Sequence, residues 1–190
     1  MIYYDDTHTY LSDWGVIIPS VTRIVAHATG KTFTNIPPAI LDNARNFGTT
    51  IHSAIEKYLT SWEQPEFEDE KLKNSWSNFM KLYEEHIGKD HKLEQMINYE
   101  DRYAGRYDCL SDGCIIDFKT SHKLDIESLS WQLSYYDLAL GGGHKLYGLW
   151  LPKKGKGKWQ EIERIPDEKL LENLKSYEQE NESSIDNLEY

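Results

Sequence analysis

Apolar and polar positions along the chain follow two periods, and the change between them divides the sequence into elements. Residues 2–18 carry short apolar runs on either side of Ser12-Asp13-Trp14-Gly15 and predict a strand pair around that turn. Pro19-Ser20 then starts a short helix, with Ser20 as N-cap and Gly30 just past its end. Pro37-Pro38 opens a longer helical region whose later part sets Ile51, Ile55, Tyr58 and Leu59 on one apolar face. A further helix over 69–87 keeps Leu72, Trp76, Phe79, Met80 and Tyr83 at helical spacing. The period then drops to two. Residues 93–99, 103–110 and 114–120 predict three strands, the last two joined by the turn Ser111-Asp112-Gly113. A helix over 125–140, a strand over 145–151, a Lys/Gly turn and a strand over 158–164 follow. A last helix from Asp167 buries Leu170, Leu171, Leu174 and Tyr177, and the tail beyond it (Glu178, Glu180, Glu182, Asp186, Glu189) is expected to fray.

This order predicts an α/β fold, a central mixed β-sheet flanked by helices. No repeat or low-complexity linker interrupts the chain, so one domain is expected over 1–190. Within it the N-terminal strand pair and short helix take 1–36, a core takes 37–164, and the C-terminal helix and acidic tail take 165–190.

Composition narrows the class. With 39% hydrophobic and 13% aromatic residues the chain can bury a core and is not a disordered acidic polymer. No apolar run approaches the roughly 20 residues that span a bilayer. The opening MIYYDDTHTY is polar and acidic from its fifth residue and does not read as a signal peptide, so a cytoplasmic protein is expected. Cys109 and Cys114 are too few for a disulfide framework. They flank a turn where a cross-strand bridge is conceivable, but a reducing compartment favours free thiols. The formal charge of −11 points away from a broad phosphate-binding surface. A carboxylate-rich metal site is itself acidic, so the charge does not exclude a nucleic-acid enzyme.

Chemistry concentrates in the segment GRYDCLSDGCIIDFKT, residues 105–120. Residues two apart on a strand share a face, so Asp117 and Lys119 project together while Ile116 and Phe118 turn to the core. With the turn centred on Asp112, Cys109 lies opposite Cys114 and Asp108 opposite Ile115. Asp108 is then diagonal to Asp117, about 7–8 Å away at the backbone. Two carboxylates and an ammonium on one patch suit a hard cation such as Mg²⁺ or Mn²⁺, with the Phe118 backbone carbonyl as a neutral ligand. Lys119 can orient or deprotonate a water, or stabilise charge in a phosphodiester transition state. Because Lys119→Ala deletes no apolar packing, its expected stability cost is about 1 kcal/mol or less. A bare Asp-x-Lys is more often an ordinary surface pair.

The remaining motifs change that balance. Gly-x-x-Asp, a strand, then Asp-x-Lys resembles the core of the PD-(D/E)xK nuclease superfamily, with Asp108 as first acid. Gly48-Thr49-Thr50-Ile51-His52 before it and Gln132-Leu133-Ser134-Tyr135-Tyr136 after it resemble the Gly-x-x-x-His and Gln-x-x-x-Tyr helices of the RecB-type and phage lambda-type exonuclease branch. Pro-Ser-Val-Thr at 19–22 resembles the start of phage-encoded members. Each pair four apart shares a helix face. His52 can ligate a metal or hold a phosphate, and Gln132 and Tyr136 can bond phosphate oxygens or brace the lysine and carboxylates. Histidine in a structural role and plain helix packing are the competing readings.

The resemblance implies a restriction-endonuclease-like core and a further acid on the first core strand. Glu94 fits that spacing; Glu100 and then Asp101 compete. It implies Mg²⁺- or Mn²⁺-dependent hydrolysis of DNA, exonucleolytic processing of DNA ends, with an endonuclease or nickase of the same chemistry as the alternative. It allows a single-strand annealing recombinase or a second copy of the chain as partner, and no membrane. A non-catalytic binding module keeping the fold is the rival from another class; intact Asp108, Asp117 and Lys119 speak against it. The iron–sulfur relatives do not fit, because four cysteines are lacking. Lys153 and Lys154, with Lys156 and Lys158, sit on a Gly-rich turn that can touch nucleic-acid backbone or simply be a solvated hairpin tip.

Overall fold

The computed structural model describes residues 1–4, 9–31, 36–88 and 90–186. At the N-terminus β1 (Ile2–Tyr4), β2 (Thr9–Leu11) and β3 (Ile17–Ile18) form an antiparallel sheet in that order. The expected strand pair is therefore three short strands, the Ser12–Gly15 turn joining the second and third. Gly15, at φ 78°, and the Ser12 hydroxyl accepting from the Val16 N–H close that turn. Tyr10 and Ile18 bury against Ala104, and the Ala104 N–H donates to the Pro19 carbonyl, tying this sheet to the main one.

Five helices follow the expected periods. They are α1 (Val21–Thr29), α2 (Pro38–Ser61), α3 (Glu70–His86), α4 (Ile126–Ala139) and α5 (Asp167–Asp186). Ser20 caps α1 by accepting from the Arg23 N–H, and left-handed Gly30 ends it. Asp69 and Asp125 cap α3 and α4 in the same way. The tail does not begin to fray at Glu178: α5 continues to Asp186, and Glu178 grips Arg102 through both carboxylate oxygens at 2.8 and 2.9 Å, while Glu189 lies outside the described residues. Leu170 and Leu174 are buried by this helix, while Leu171 and Tyr177 are half-buried.

The main sheet runs β4 (His91–Tyr99), β5 (Tyr103–Ser111), β6 (Cys114–Lys119), β7 (Lys145–Trp150) and β8 (Lys158–Ile162). Among these five strands β6 and β7 pair in parallel, across the crossover helix α4, and the other neighbours pair antiparallel, so the sheet is mixed. On one face α1, α4 and α5 bury Ile24, Leu129, Leu133, Leu170 and Leu174 against Ile97, Tyr107, Ile115, Leu146 and Ile162. On the other, α2 and α3 bury Ile51, Ile55, Phe79 and Tyr83 against Cys109, Ile116, Phe118 and Leu149. The fold is α/β, a mixed sheet flanked by helices. Among the described residues no helix is long and apolar enough to cross a membrane.

Two departures from simple alternation shape the centre. The β5–β6 turn is the two-residue pair Asp112-Gly113, both at positive φ (48° and 73°), not a three-residue turn centred on Asp112. Ser111 pairs with Cys114 and Cys109 with Ile116, so Cys109 does not face Cys114; both are free thiols. Asp108 is not opposite Ile115 as expected, since Leu110 takes that place. The correction moves the register by two and keeps every side chain on its face. Secondly, the odd-numbered residues change sides along β4 and β5. Ile97 and Tyr107 pack with α1 and α4, whereas Leu93 and Cys109 pack with α2 and α3. The switch falls at Glu94, which has φ 49°, and at Asp108 beside it.

Candidate metal centre

Three strands and one helix bring the acids together. Register continued past Leu93–Cys109 sets Glu94 across from Asp108, and past Cys109–Ile116 sets Asp108 across from Asp117. These are places where ladder pairing lapses. Asp108 Oδ2 instead accepts the Phe118 N–H at 2.6 Å, so the backbone of β6 holds the carboxylate. From α2, His52 reaches over the same point. Its Nε2 lies 2.9 Å from the Phe118 carbonyl oxygen and its Nδ1 3.4 Å from Asp108 Oδ1.

His52, Glu94 and Asp108 each offer one ligand atom, and those atoms all lie within 4.8 Å of one another. An ion with ligands at about 2.1 Å sets opposite ligands about 4.2 Å apart and adjacent ones about 3 Å apart. The trio is therefore near ligating size, and the Phe118 carbonyl lies within hydrogen-bond reach of the His52 ring. Asp117 stands outside the trio but on the same cavity wall as His52, Asp108 and Lys119. It is 2% exposed, and its buried Oδ2 has no hydrogen-bond partner. Its charge partner is the Lys119 ammonium, with Nζ 2.7 Å from that oxygen. A buried carboxylate oxygen met by one ammonium, beside a His/Glu/Asp trio near ligating size, fits an oxygen-preferring divalent cation.

A chain of polar contacts fixes the lysine from behind. Lys119 Nζ donates to Gln132 Oε1 at 3.1 Å, and Gln132 Nε2 donates to the Tyr136 hydroxyl at 3.0 Å. The four-residue spacing on α4 makes the second bond possible. Tyr136 in turn lies on Gly105: a Cβ there would stand 2.7 Å from its ring.

Charge follows geometry. Burial pushes the Asp117 carboxyl up to about 6, with Lys119 opposing and Asp108 adding to the rise. Burial likewise lifts Glu94 to about 7, reinforced by Asp108 and Glu56 and opposed by Arg106. For Asp108, burial acts upward, but His52, Lys119 and the Phe118 N–H outweigh it and hold the group below its usual range. Burial acts downward on His52, yet the Asp108 charge carries it to about 9. Burial also opposes the charge on Lys119, and Asp117 and Asp108 more than restore it. Tyr136 is pushed well up by burial and the Asp117 charge and stays a neutral phenol.

Two cavities meet at the acids, both reaching His52 and Asp108. One, of about 900 Å³, is lined by Lys71, Lys119, Gln132, Trp150, Lys153 and Lys154 among others. The other, of about 400 Å³, is lined by Tyr3, Tyr10, Glu56, Glu94 and Arg106 among others. The Lys/Gly turn is no free hairpin tip. Asn74 donates to the Pro152 and Gly155 carbonyls, Ser75 to those of Leu151 and Pro152, and Asn78 to that of Gly155. Lys153 rests over the Phe47 ring at 4.4 Å. Lys153 and Lys154 thus face the cavity, while Lys156 and Lys158 are exposed and do not line it.

Glu100 and Asp101 form the β4–β5 turn, where Asp101 bonds Asn98, and neither joins the acids. Glu94 does. Glu56 and Arg106 were not singled out from the sequence. Glu56 continues the Gly48–His52 row at the next i+4 step, and Arg106 sits inside Gly-x-x-Asp; these spacings were the available signals.

No family model and no curated protein matches the chain. Among solved structures it is similar to a protein named SSO0001, with 17% identity and a TM-score of 0.46 over 83% of this chain and 71% of that one. It is similar to an exonuclease-named protein from Eubacterium rectale, with 12% identity and a TM-score of 0.48 over 70% of this chain; it spans 64% of the length of that protein. It is also similar to a phage-related exonuclease from Haemophilus somnus 129PT, with 10% identity and a TM-score of 0.43 over 83% and 88% of the two chains.

Proposed function

We propose that the protein is a divalent-metal-dependent hydrolase of DNA phosphodiesters, acting as an exonuclease on DNA ends. One observation carries the reading: the His52, Glu94 and Asp108 ligand atoms gather within 4.8 Å beside the Asp117–Lys119–Gln132–Tyr136 chain. His52, Glu94, Asp108 and Asp117 would hold Mg²⁺ or Mn²⁺, with the Phe118 carbonyl as a neutral ligand. When bound, such an ion acidifies a water and neutralises charge developing on the phosphate. The chain's own residues do the rest. Lys119, kept an ammonium by Asp117 and Asp108, donates to a phosphate oxygen or orients the attacking water. Gln132 and Tyr136 fix its position, because the Gln132 amide bonds both ends of the relay at once. Lys71, Lys153 and Lys154 attract the backbone of the strand into the larger cavity. A single-strand annealing recombinase as partner, and assembly with further copies of the chain, belong to the same proposal.

The meeting of two cavities at the acids would also let an uninterrupted strand pass, and this supports an endonuclease as second reading. Digestion of linear and closed circular DNA with Mn²⁺ separates the two. Loss of linear DNA alone is the expected result, and nicking of circles turns the reading to an endonuclease. A chain that binds Mn²⁺ yet cuts neither would be a binding module.

A further inference from the structure

Glu94 does not stand in the trio by its own geometry. Its backbone is left-handed, at φ 49°, a conformation that costs a non-glycine residue energy and persists only when neighbours hold it. Arg106 is the cation that meets its side chain. Arg106 Nε lies 2.9 Å from Glu94 Oε2, at the edge of the trio. The guanidinium carbon lies 5.5 Å from the centre of the Tyr3 ring, and Tyr3 stacks on Tyr10 at 4.8 Å. Tyr10, Tyr3, Arg106 and Glu94 therefore form one row from the three-stranded N-terminal sheet to the acids, all on the wall of the smaller cavity. A planar guanidinium suits this place, since it can lie on an aromatic ring with one edge turned to a carboxylate.

We infer that Arg106 is a positioning residue that, backed by Tyr3, holds Glu94 with one oxygen presented to the cation, so that the N-terminal sheet supports the metal centre. The inference rests on the reading of His52, Glu94 and Asp108 as a cation site. It adds a residue outside the ligand set and assigns the small sheet a task in the centre.

Electrostatics alone predicts the opposite outcome, which makes the test sharp. An arginine near a cation site repels the cation, so deleting its charge should tighten binding. A residue that orients a ligand should weaken it on removal, by about tenfold or more. The experiment is titration calorimetry of the full chain with Mn²⁺, without nucleic acid, on the wild type, Arg106→Gln, Arg106→Lys, Glu94→Gln and the double variant Glu94→Gln/Arg106→Gln. Positioning predicts about tenfold weaker binding for Arg106→Gln and an intermediate value for Arg106→Lys, which keeps the charge but not the flat contact with Tyr3. In the Glu94→Gln background, Arg106→Gln should change affinity by less than about twofold. Unchanged or tighter binding by Arg106→Gln overturns the inference, as does an equal loss with Glu94 already removed. Should Arg106→Gln fail to fold, Arg106→Lys with Tyr3→Leu carries the same prediction of weakened binding, and wild-type affinity in both overturns it. A wild-type chain that takes up no Mn²⁺ fails the reading of the whole centre, which is a different result.

Discussion

Single residues at the centre carry opposed demands, and Lys119 shows it best. From sequence, Lys119→Ala looked cheap, because no apolar packing is lost. In the fold the ammonium is the charge partner of a carboxylate that is 2% exposed, and among the described residues no other group meets its Oδ2. Removing it leaves that oxygen buried and uncompensated, a cost of roughly 1–3 kcal/mol. The cost should shrink as pH falls toward about 6, since Asp117 takes up a proton there even beside Lys119 and does so at higher pH without it. Activity should fall by about two orders of magnitude or more, as for loss of one electrostatic donor at a transition state. Thermal melts of Lys119→Ala at acid and alkaline pH, beside DNA cleavage by the same preparation, check both halves. Equal destabilisation at both pH values would contradict the account of Asp117. Glu94 makes the complementary case: Glu94→Gly relieves the left-handed backbone, whereas Glu94→Ala removes the same half-buried carboxylate and its Arg106 pair without that relief. Metal-free Glu94→Gly should therefore melt higher than Glu94→Ala, by the equivalent of about 1 kcal/mol, while both lose Mn²⁺ affinity. Equal melting temperatures, or a lower one for the glycine variant, would mean that the φ of Glu94 is unstrained.

Among elements, the helix and strand periods were legible because each element packs one face on the sheet. Ile51, Ile55, Tyr58 and Leu59 on α2 and Leu170 and Leu174 on α5 are buried where their spacing put them. Gathering of Asp108, Asp117 and Lys119 near His52 and Gln132 was also legible, since period two and period four decide faces. What alternation could not show is its own failure. The switch of sides at Glu94 and Asp108 depends on a positive φ at a glutamate, for which residue type gives no signal. Nor could it show the two-residue turn, since Ser111-Asp112-Gly113 is compatible with either length. The motif glycines divide in the same way. Gly105 is required by packing: a Cβ would lie 2.7 Å from the Tyr136 ring and 3.1 Å from Val21 Cγ2, both buried. Gly105→Ala should cost about 1–3 kcal/mol and disturb Tyr136, to be seen in melting temperature and activity together. Gly48 meets only Thr120 Oγ1, at 3.4 Å, and lies inside α2. Gly48→Ala should thus gain roughly 0.5–1 kcal/mol from helix propensity. If cleavage falls while stability rises, the glycine serves approach of a ligand to the helix, a role that packing does not reveal.

At the scale of the whole molecule, a chain of formal charge −11 gathers further acids at one point, and this sets how its stability should respond to pH and metal. Glu94 is held up to about 7 from an ordinary 4.5, and Asp117 up to about 6 from 3.8. A group that binds its proton more tightly when folded stabilises the fold below its unfolded pKa, and that stabilisation is lost as pH rises through the folded value. For these two the loss runs from about pH 4 to about 7. His52, raised from 6.5 to about 9, has the same sign, its contribution being lost between those values. Asp108 has the opposite sign, but its lowered pKa places its effect in the acid range, below pH 4. From about pH 6 to 9, then, the metal-free protein should lose stability steadily, because deprotonation leaves Glu94 and Asp117 charged and removes the His52 cation that offsets them. A divalent cation reverses the effect, since it needs the charged carboxylates and the neutral imidazole that alkaline pH supplies. Melting in EDTA should therefore fall from about pH 6 to about pH 8.5, and the increment given by excess Mg²⁺ or Mn²⁺ should grow over the same interval. Glu94→Gln should flatten the EDTA profile and shrink the metal increment together, because one carboxylate underlies both. A metal increment that is the same at both pH values, with a falling EDTA profile, would place the titrating groups outside the cation site and separate Glu94 from it.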